Sequence, residues 1–190
     1  MGVLSYFLGL EASSCSDGYY LSQAKYAYDL LARSSITDLA TSPTLLDLNI
    51  RLTPFDGIPL KDGTLYRQLV GSFIYLNVTY PDFACVVHIV SQFMVAPRSI
   101  YFTVVLCILR YIKGTIGHGL QFSSQSSLVL SSYSDANWTG DPTNRRSSTS
   151  YCFYLGDSLV SWRNKKQTVV SHSNTEFEYR ALADATSLLL

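Results

Sequence analysis

The sequence carries little charge and no excess of either sign. Charged residues make up 15% of the 190 residues, and the 14 basic and 14 acidic side chains cancel. A protein that binds nucleic acid through its overall charge is usually strongly basic, so the composition does not predict that class of function. Hydrophobic residues, at 47%, are abundant enough to build a core, which argues against an intrinsically disordered chain.

Closely spaced cysteines are also missing. The four cysteines lie far apart and include no Cys-x-x-Cys pair, and the three histidines are equally scattered. This pattern predicts free thiols in a reducing, intracellular compartment and no structural metal site built on cysteine.

Long apolar runs and a targeting segment are lacking as well. The two most apolar runs, residues 83–96 and 100–112, are both shorter than the ~20 residues needed to span a bilayer. The first residues include Glu11 and no basic cluster, unlike a signal peptide. We therefore expect no membrane association and a pair of helices in this apolar stretch.

Periodicity divides the chain into two modules with a boundary near residue 115. The first module is predicted to begin with a strand over residues 4–12, a turn at Asp17-Gly18 and a return strand at 19–21. A helix follows, and Ser22 is its predicted N-cap. Residues 34–61 lack periodicity and are predicted to drape over a surface as a linker. The predicted helices cover residues 23–33, 66–79, 82–95 and 99–113, and Gly114 is the expected stop.

After Gly114 the apolar spacing changes to the period of two that is typical of strands. A hairpin turn is predicted at Gly156-Asp157, and a helix is predicted to begin at Asn174. The sequence thus predicts an α+β fold, with a helical module over residues 1–115 and a mixed sheet plus helix over residues 116–190. The predicted strands cover residues 120–122, 128–134, 150–155 and 159–162, with 169–171 extending the sheet.

Two carboxylates in the second module are candidates for chemistry. Asp135 ends a predicted strand, and Glu178 lies one turn into the last helix, where Phe177 and Leu182 are expected to face the sheet. Carboxylates that converge from a strand and a helix offer the hard oxygen ligands that Mg²⁺ prefers. The plainer interpretation, a turn acid and a solvated helix residue, is favoured by spacing alone.

Several blocks of the second module resemble one known family. These are SDANWTGD, RRSSTSYC, VSWRNKKQ and SNTEFEYRAL, which are similar to "DADWAGD", "RRSTSGYC", "VSWRSKKQ" and "SSAEAEYRAL". The first module adds YFLGLE, LSQAKYA, YRQLVG and LRYIKGT, which are similar to "YFLGIE", "LSQKKYA", "YRRLVG" and "LRYLKGT". Over essentially its whole length the chain therefore resembles copia-type retrotransposon Pol polyproteins. The resemblance covers the C-terminal part of a reverse transcriptase (thumb or connection region) and the N-terminal half of a ribonuclease H domain.

The resemblance implies a role for each candidate residue. Asp135 would be the first ribonuclease H carboxylate and Glu178 the helix carboxylate, together binding Mg²⁺ weakly, with Mn²⁺ as a substitute. Asn174 and Thr175 would contact the RNA strand of an RNA–DNA hybrid. A basic group would contact phosphates or, equally, form a solvated charged face; it consists of Arg145, Arg146, Lys165 and Lys166.

The resemblance also predicts that catalysis is incomplete. The polymerase motif of the family precedes the YFLG block, and further ribonuclease H acids follow the last helix. Asp184 does not replace them, because it lies six residues after Glu178 and so on another helix face. The expected function is a non-catalytic polyprotein fragment. The alternatives are a hybrid nuclease completed by another chain, a duplex-binding module, and a helical interaction protein; self-association through a sheet edge without a neighbour is also expected.

Overall fold

The computed structural model describes residues 5–34, 40–45, 52–53, 55–137 and 146–189. The chain divides into two compact units, residues 1–121 and 122–190. The described residues form two antiparallel sheets and five α-helices, which confirms the predicted α+β class. No helix in the described ranges is both long enough and apolar enough to cross a membrane.

The first sheet contains the strands β1 (Tyr6–Phe7), β2 (Leu10–Cys15), β3 (Gly18–Ser22) and β4 (Gly119–Ser123), in that order. The single strand predicted over residues 4–12 is wrong, because Leu8 and Gly9 adopt positive φ angles of 47° and 77° and form a turn. The hairpin predicted at Asp17-Gly18 is confirmed, with Cys15 paired to Gly18.

Four helices follow in the first unit at the predicted places: α1 (Ala24–Arg33), α2 (Thr64–Leu76), α3 (Ala84–Ser91) and α4 (Ser99–Gly114). They bury one continuous core, in which Tyr66, Phe73 and Ile108 are fully enclosed. The third helix starts later than predicted because Pro81–Phe83 forms a separate 3₁₀ turn, and it ends at Ser91, four residues before the predicted end. Gly114 is the last residue of α4, not a stop beyond the helix.

The cap predicted for α1 is also wrong. The Ser22 hydroxyl donates a hydrogen bond to Glu11 Oε2 (3.4 Å) and does not cap the helix. Instead Glu11 Oε1 accepts from the backbone N–H of Lys25 (3.2 Å). A carboxylate from the neighbouring strand therefore satisfies one of the free N–H groups that every helix has in its first turn.

Three leucines of the predicted linker lie against the core, within the part of that segment that the structure describes. Leu45, Leu52 and Leu60 pack against the helical cluster. Pro59 forms an isolated bridge with Arg98. Apolar anchors of this kind explain how a segment without periodicity takes a defined path.

The second unit contains β5 (Leu130–Asn137), β6 (Ser148–Leu155), β7 (Ser158–Lys166) and α5 (Asn174–Thr186), with strand order β5-β6-β7. The Gly156-Asp157 turn is confirmed, with Gly156 at a φ of 58°. Three expectations are corrected. The described strands of this sheet pair only antiparallel, so it is not mixed. The strand predicted at 120–122 is β4 of the first sheet, and residues 169–171 form no strand.

Helix α5 packs against β5 and β6 through small and aromatic side chains. Phe177, Ala181 and Ala185 recur every four residues and are buried, and the first two enclose Ala136 of β5. The expectation for Phe177 is confirmed. The expectation that Leu182 faces the sheet is wrong. Its side chain is 54% exposed, and it follows the buried Ala181 by one residue.

Candidate carboxylate site and basic edge

Asp135 lies within β5 and is exposed. The strand continues two residues beyond it, so it does not end the strand as predicted. Ala136 faces α5, and because side chains alternate along a strand, Asp135 leaves the opposite face of the sheet. On that face it is paired with Ser150, whose hydroxyl accepts a hydrogen bond from Asn164 Nδ2 (2.8 Å).

Glu178 is exposed on α5, one residue after the buried Phe177. The helix packs more extensively on β5 than on β6. Since β5 pairs only with β6 among the described strands, α5 lies over the outer strand of the described sheet. The elements of the two carboxylates are thus brought together, although the side chains leave from different faces.

Metal binding is the chemistry that the resemblance implies for Asp135 and Glu178. Among the described residues, no group of three or more His, Cys, Asp or Glu side chains could hold a metal ion. A cation held by Asp135 and Glu178 would fill its remaining positions with water, as Mg²⁺ commonly does. Oxygen donors of this kind fit Mg²⁺ and Mn²⁺ better than softer metals.

The first turn of α5 is fixed by a variant of the capping box, in which Glu176 reaches the residue before the N-cap Ser173. Ser173 Oγ accepts from the backbone N–H of Glu176 (3.2 Å), and Glu176 Oε2 accepts from the backbone N–H of His172 (2.8 Å). Arg180 Nη2 donates to Glu176 Oε1 at 2.7 Å. The hydrogen bond from His172 and the Arg180 contact lower the pKa of Glu176. Glu176 is therefore a structural cap, which leaves Asn174 and Thr175 exposed beside it.

Gln167 is a site residue that the sequence did not single out. Its buried Nε2 donates to Thr149 Oγ1 (3.1 Å) and to the Phe177 carbonyl (3.0 Å), and its Oε1 accepts from Ser171 Oγ (3.1 Å). It thereby joins β6, the loop after β7 and α5. The sequence pointed to Gln167 only through its place at the end of the VSWRNKKQ block. Its contacts could not be predicted, because its partners Thr149 and Phe177 lie 18 and 10 residues away.

The basic residues lie at the same end of the sheet as Asp135. Lys165 is paired through Thr149 with Ala136, and Lys166 through Ser148 with Asn137. Two strand spacings separate β7 from β5, about 10 Å. Successive side chains along a strand point to opposite faces of the sheet. Lys165, in the row of Ala136, therefore lies on the α5 face, and Lys166 lies on the Asp135 face. Arg146 is exposed just before β6, and Arg145 lies outside the described residues.

The Asp135 face also carries an aromatic concavity of about 510 Å³. Tyr133 and Tyr154 line it with their rings edge to face, 6.0 Å apart. Cys152 of β6, which pairs with Tyr133, also lines the concavity, and burial raises the pKa of its thiol. A thiol held protonated is a poor nucleophile, so we assign this concavity no chemistry.

Together these features define an α+β protein in which one exposed acid, Asp135, and a basic group lie at one end of an antiparallel sheet. Its relatives make that class specific. The chain is 40% identical over 186 residues to a retrovirus-related Pol polyprotein from transposon RE2 of Arabidopsis thaliana, covering 98% of the chain and 13% of the polyprotein. The corresponding protein from transposon RE1 is 41% identical over 184 residues, or 97% and 13%.

An uncharacterized mitochondrial protein of the same plant, AtMg00810, is 38% identical over 183 residues, covering 96% of the chain and 76% of that protein. No protein-family model matches, and no solved structure matches at a significant level. The chain belongs to the family of copia-type retrotransposon Pol polyproteins. It spans 13% of the length of the two transposon polyproteins.

Proposed function

We propose that the second unit is the N-terminal part of a ribonuclease H-like domain and that the first unit corresponds to the C-terminal region of a reverse transcriptase. In this proposal the chain holds an RNA–DNA hybrid but does not complete its hydrolysis alone. The observation that carries the proposal is the shared end of the second sheet. There Asp135, Lys165 and Lys166 occupy adjacent cross-strand rows, and α5 packs over the same rows.

Each part of this end has a task in the proposal. Lys165, Lys166 and Arg146 contact phosphates, which adds affinity without sequence preference. Asn174 and Thr175, exposed by the capping box below them, contact 2′-hydroxyl groups of the RNA strand. Gln167 holds the loop and helix that present them. Arg145 is assigned to the same phosphate contacts from its place in the sequence.

The carboxylates supply the metal chemistry. Asp135 and Glu178 hold one hydrated Mg²⁺, or Mn²⁺ in its place, across the outer edge of β5. Hydrolysis of a phosphodiester by two metal ions needs a second ion about 3.5–4 Å away. In this proposal the acids for that second ion come from another segment or another chain. The outer edge of β5 is the natural docking place, since strand pairing there satisfies its backbone groups; a second copy of the chain docked there is the self-association that the sequence predicts.

The deciding experiment compares the chain with Asp135→Asn and with Asp157→Asn. Asp157 is a matched control because it is an exposed acid of the same unit in the β6–β7 turn. A labelled RNA–DNA hybrid is followed for binding and for cleavage with Mg²⁺ or Mn²⁺. We expect binding that weakens steeply with salt in all three proteins. We also expect no cleavage, and a metal-dependent gain in affinity that only Asp135→Asn abolishes.

Other outcomes change the proposal in defined ways. Cleavage by the chain alone that Asp135→Asn abolishes would show that its two carboxylates suffice or that self-assembly supplies the rest. No binding of the hybrid at low salt by folded protein would remove the proposal and leave a polyprotein fragment without this activity.

A further inference from the structure

A cationic cleft in the first unit plays no part in the function proposed above. Lys61, Arg67 and Arg98 line an opening of about 420 Å³ between the start of α2 and the turn that precedes α4. Lys61 and Arg67 are exposed and Arg98 is half-buried. In a chain whose net charge is zero, three basic side chains around one opening are a local concentration of positive charge.

Backbone carbonyls hold both guanidinium groups in place. Arg67 Nε donates to the Met94 carbonyl at 2.9 Å. Arg98 Nη1 donates to the carbonyls of Phe55 and Gly57, each at 2.9 Å. A guanidinium carries five N–H donors in a fixed fork, so these bonds set its direction and leave donors for a ligand. A ligand that binds such a group has less side-chain freedom to restrict.

Gly63 keeps the cleft open beside Arg67. This glycine is buried. A Cβ atom at this position would lie 2.6 Å from Pro97 Cγ and 3.3 Å from both Cζ and Nη2 of Arg67. Any larger residue would therefore occupy the space in front of the guanidinium.

One acid opposes the three bases. Asp62 Oδ1 accepts from the backbone N–H of Thr64 at 2.8 Å, so this carboxylate already occupies the start of α2. The Thr64 hydrogen bonds, and to a lesser degree the Arg67 charge, lower the pKa of Asp62. The carboxylate is thus ionised at neutral pH, and the cleft keeps a net positive charge of two.

We propose that this cleft binds a phosphate group of a nucleic-acid backbone. The guanidinium fork matches two phosphate oxygens at once, which distinguishes it from a diffuse positive surface. Val95, which is 91% exposed, and Ala96 form an apolar rim against which the adjoining sugar can pack. The site belongs to the first unit and does not rest on the ribonuclease H-like role of the second.

The test measures binding of a short labelled RNA–DNA hybrid to the whole chain over a series of salt concentrations. Arg67→Gln should weaken binding and reduce the slope of log affinity against log salt by about one. Asp62→Asn should tighten binding, because it removes the opposing charge and retains the oxygen that accepts from Thr64. Arg33→Gln is the matched control. It removes the same charge from another helix, and the Nε of Arg33 also donates to a backbone carbonyl, that of Asp29 at 3.2 Å.

Parallel variants of the second unit separate this cleft from the proposed function. If Lys165→Gln reduces the salt slope and Arg67→Gln does not, the proposal that the cleft binds phosphate is wrong and the second unit alone holds the hybrid. If Arg67→Gln reduces the salt slope and Lys165→Gln does not, the proposed phosphate site in the cleft stands and the phosphate contacts proposed for Lys165 are wrong. Equal effects of Arg67→Gln and Arg33→Gln, or no binding by the wild-type chain, overturn the cleft. If inorganic phosphate binds the wild type but not Arg67→Gln, and the hybrid binds both equally, the site takes free phosphate and the nucleic-acid assignment is wrong.

Discussion

At the scale of single residues, the buried amide of Gln167 links β6, the loop after β7 and α5 of the second unit. Its partner Thr149 lies opposite Ala136, next to Asp135, and its partner Phe177 precedes Glu178. The amide therefore ties the Phe177 carbonyl, next to Glu178, to the Thr149 side chain on the strand that pairs with β5. Buried polar groups are costly when they lose a partner and stabilising when every partner is present, so this position should tolerate little change.

Gln167→Glu tests that inference. The substitution replaces the Nε2 donor with an oxygen that faces the Phe177 carbonyl, and it buries a charge. We expect urea denaturation at neutral pH to show a loss of about 2–4 kcal/mol in the free energy of unfolding. Burial raises the pKa of the new carboxyl above its value in the unfolded chain, so the loss should shrink as the pH falls and the protonated acid regains a donor. Gln167→Leu is the control, with a loss of about 1–3 kcal/mol that does not vary with pH. Identical pH profiles for the two variants would contradict the inferred contacts.

At the scale of elements, helices and tight turns could be predicted because their signals are local. The periodic apolar positions of α2 and α4, and the glycines at 18 and 156, need only neighbours in sequence. Capping at the start of α1 could not be predicted, because the capping Glu11 lies on another strand. The face that Asp135 occupies was equally hidden, since it depends on which neighbour packs against α5.

The start of α5 offers a prediction on the capping box. Ser173→Ala removes the acceptor for the Glu176 N–H and should lower the free energy of unfolding by about 1 kcal/mol. Thr175→Ala, in the same exposed turn, should change it by less than about 0.5 kcal/mol. Thermal or urea denaturation of the two variants measures the difference, and equal losses would contradict the cap.

The pH dependence of the cap follows from Glu176. Its pKa is lowered in the folded chain, first by the His172 hydrogen bond and then by Arg180. A lowered pKa contributes stability above the unfolded-state pKa, and that contribution is lost as the pH falls through the folded-state value. Glu176→Gln should therefore match the wild type more closely in acid than at neutral pH.

At the scale of the whole molecule, the two units differ in how much core each one builds. The first buries a continuous cluster from four helices, including Tyr66, Phe73 and Ile108. The described cluster of the second is confined to Ala136, Phe177 and Ala181. Burial of apolar area is the main stabilising contribution to folding, so the second unit should be much the less stable of the two.

Two spectroscopic signals can follow the units separately. Trp162 belongs to the second unit, and the other tryptophan, Trp138, lies outside the described residues. Four of the five described helices belong to the first unit. We expect tryptophan fluorescence to change at a lower urea concentration than the helical circular dichroism. Phe177→Ala should shift only the fluorescence transition and Phe73→Ala only the dichroism, each by a loss of about 3–5 kcal/mol in its own unit. Coincident transitions that both variants move together would mean that the chain unfolds as one cooperative body. The second unit would then draw its stability from the first, and its nucleic-acid binding could not be separated from that of the whole chain.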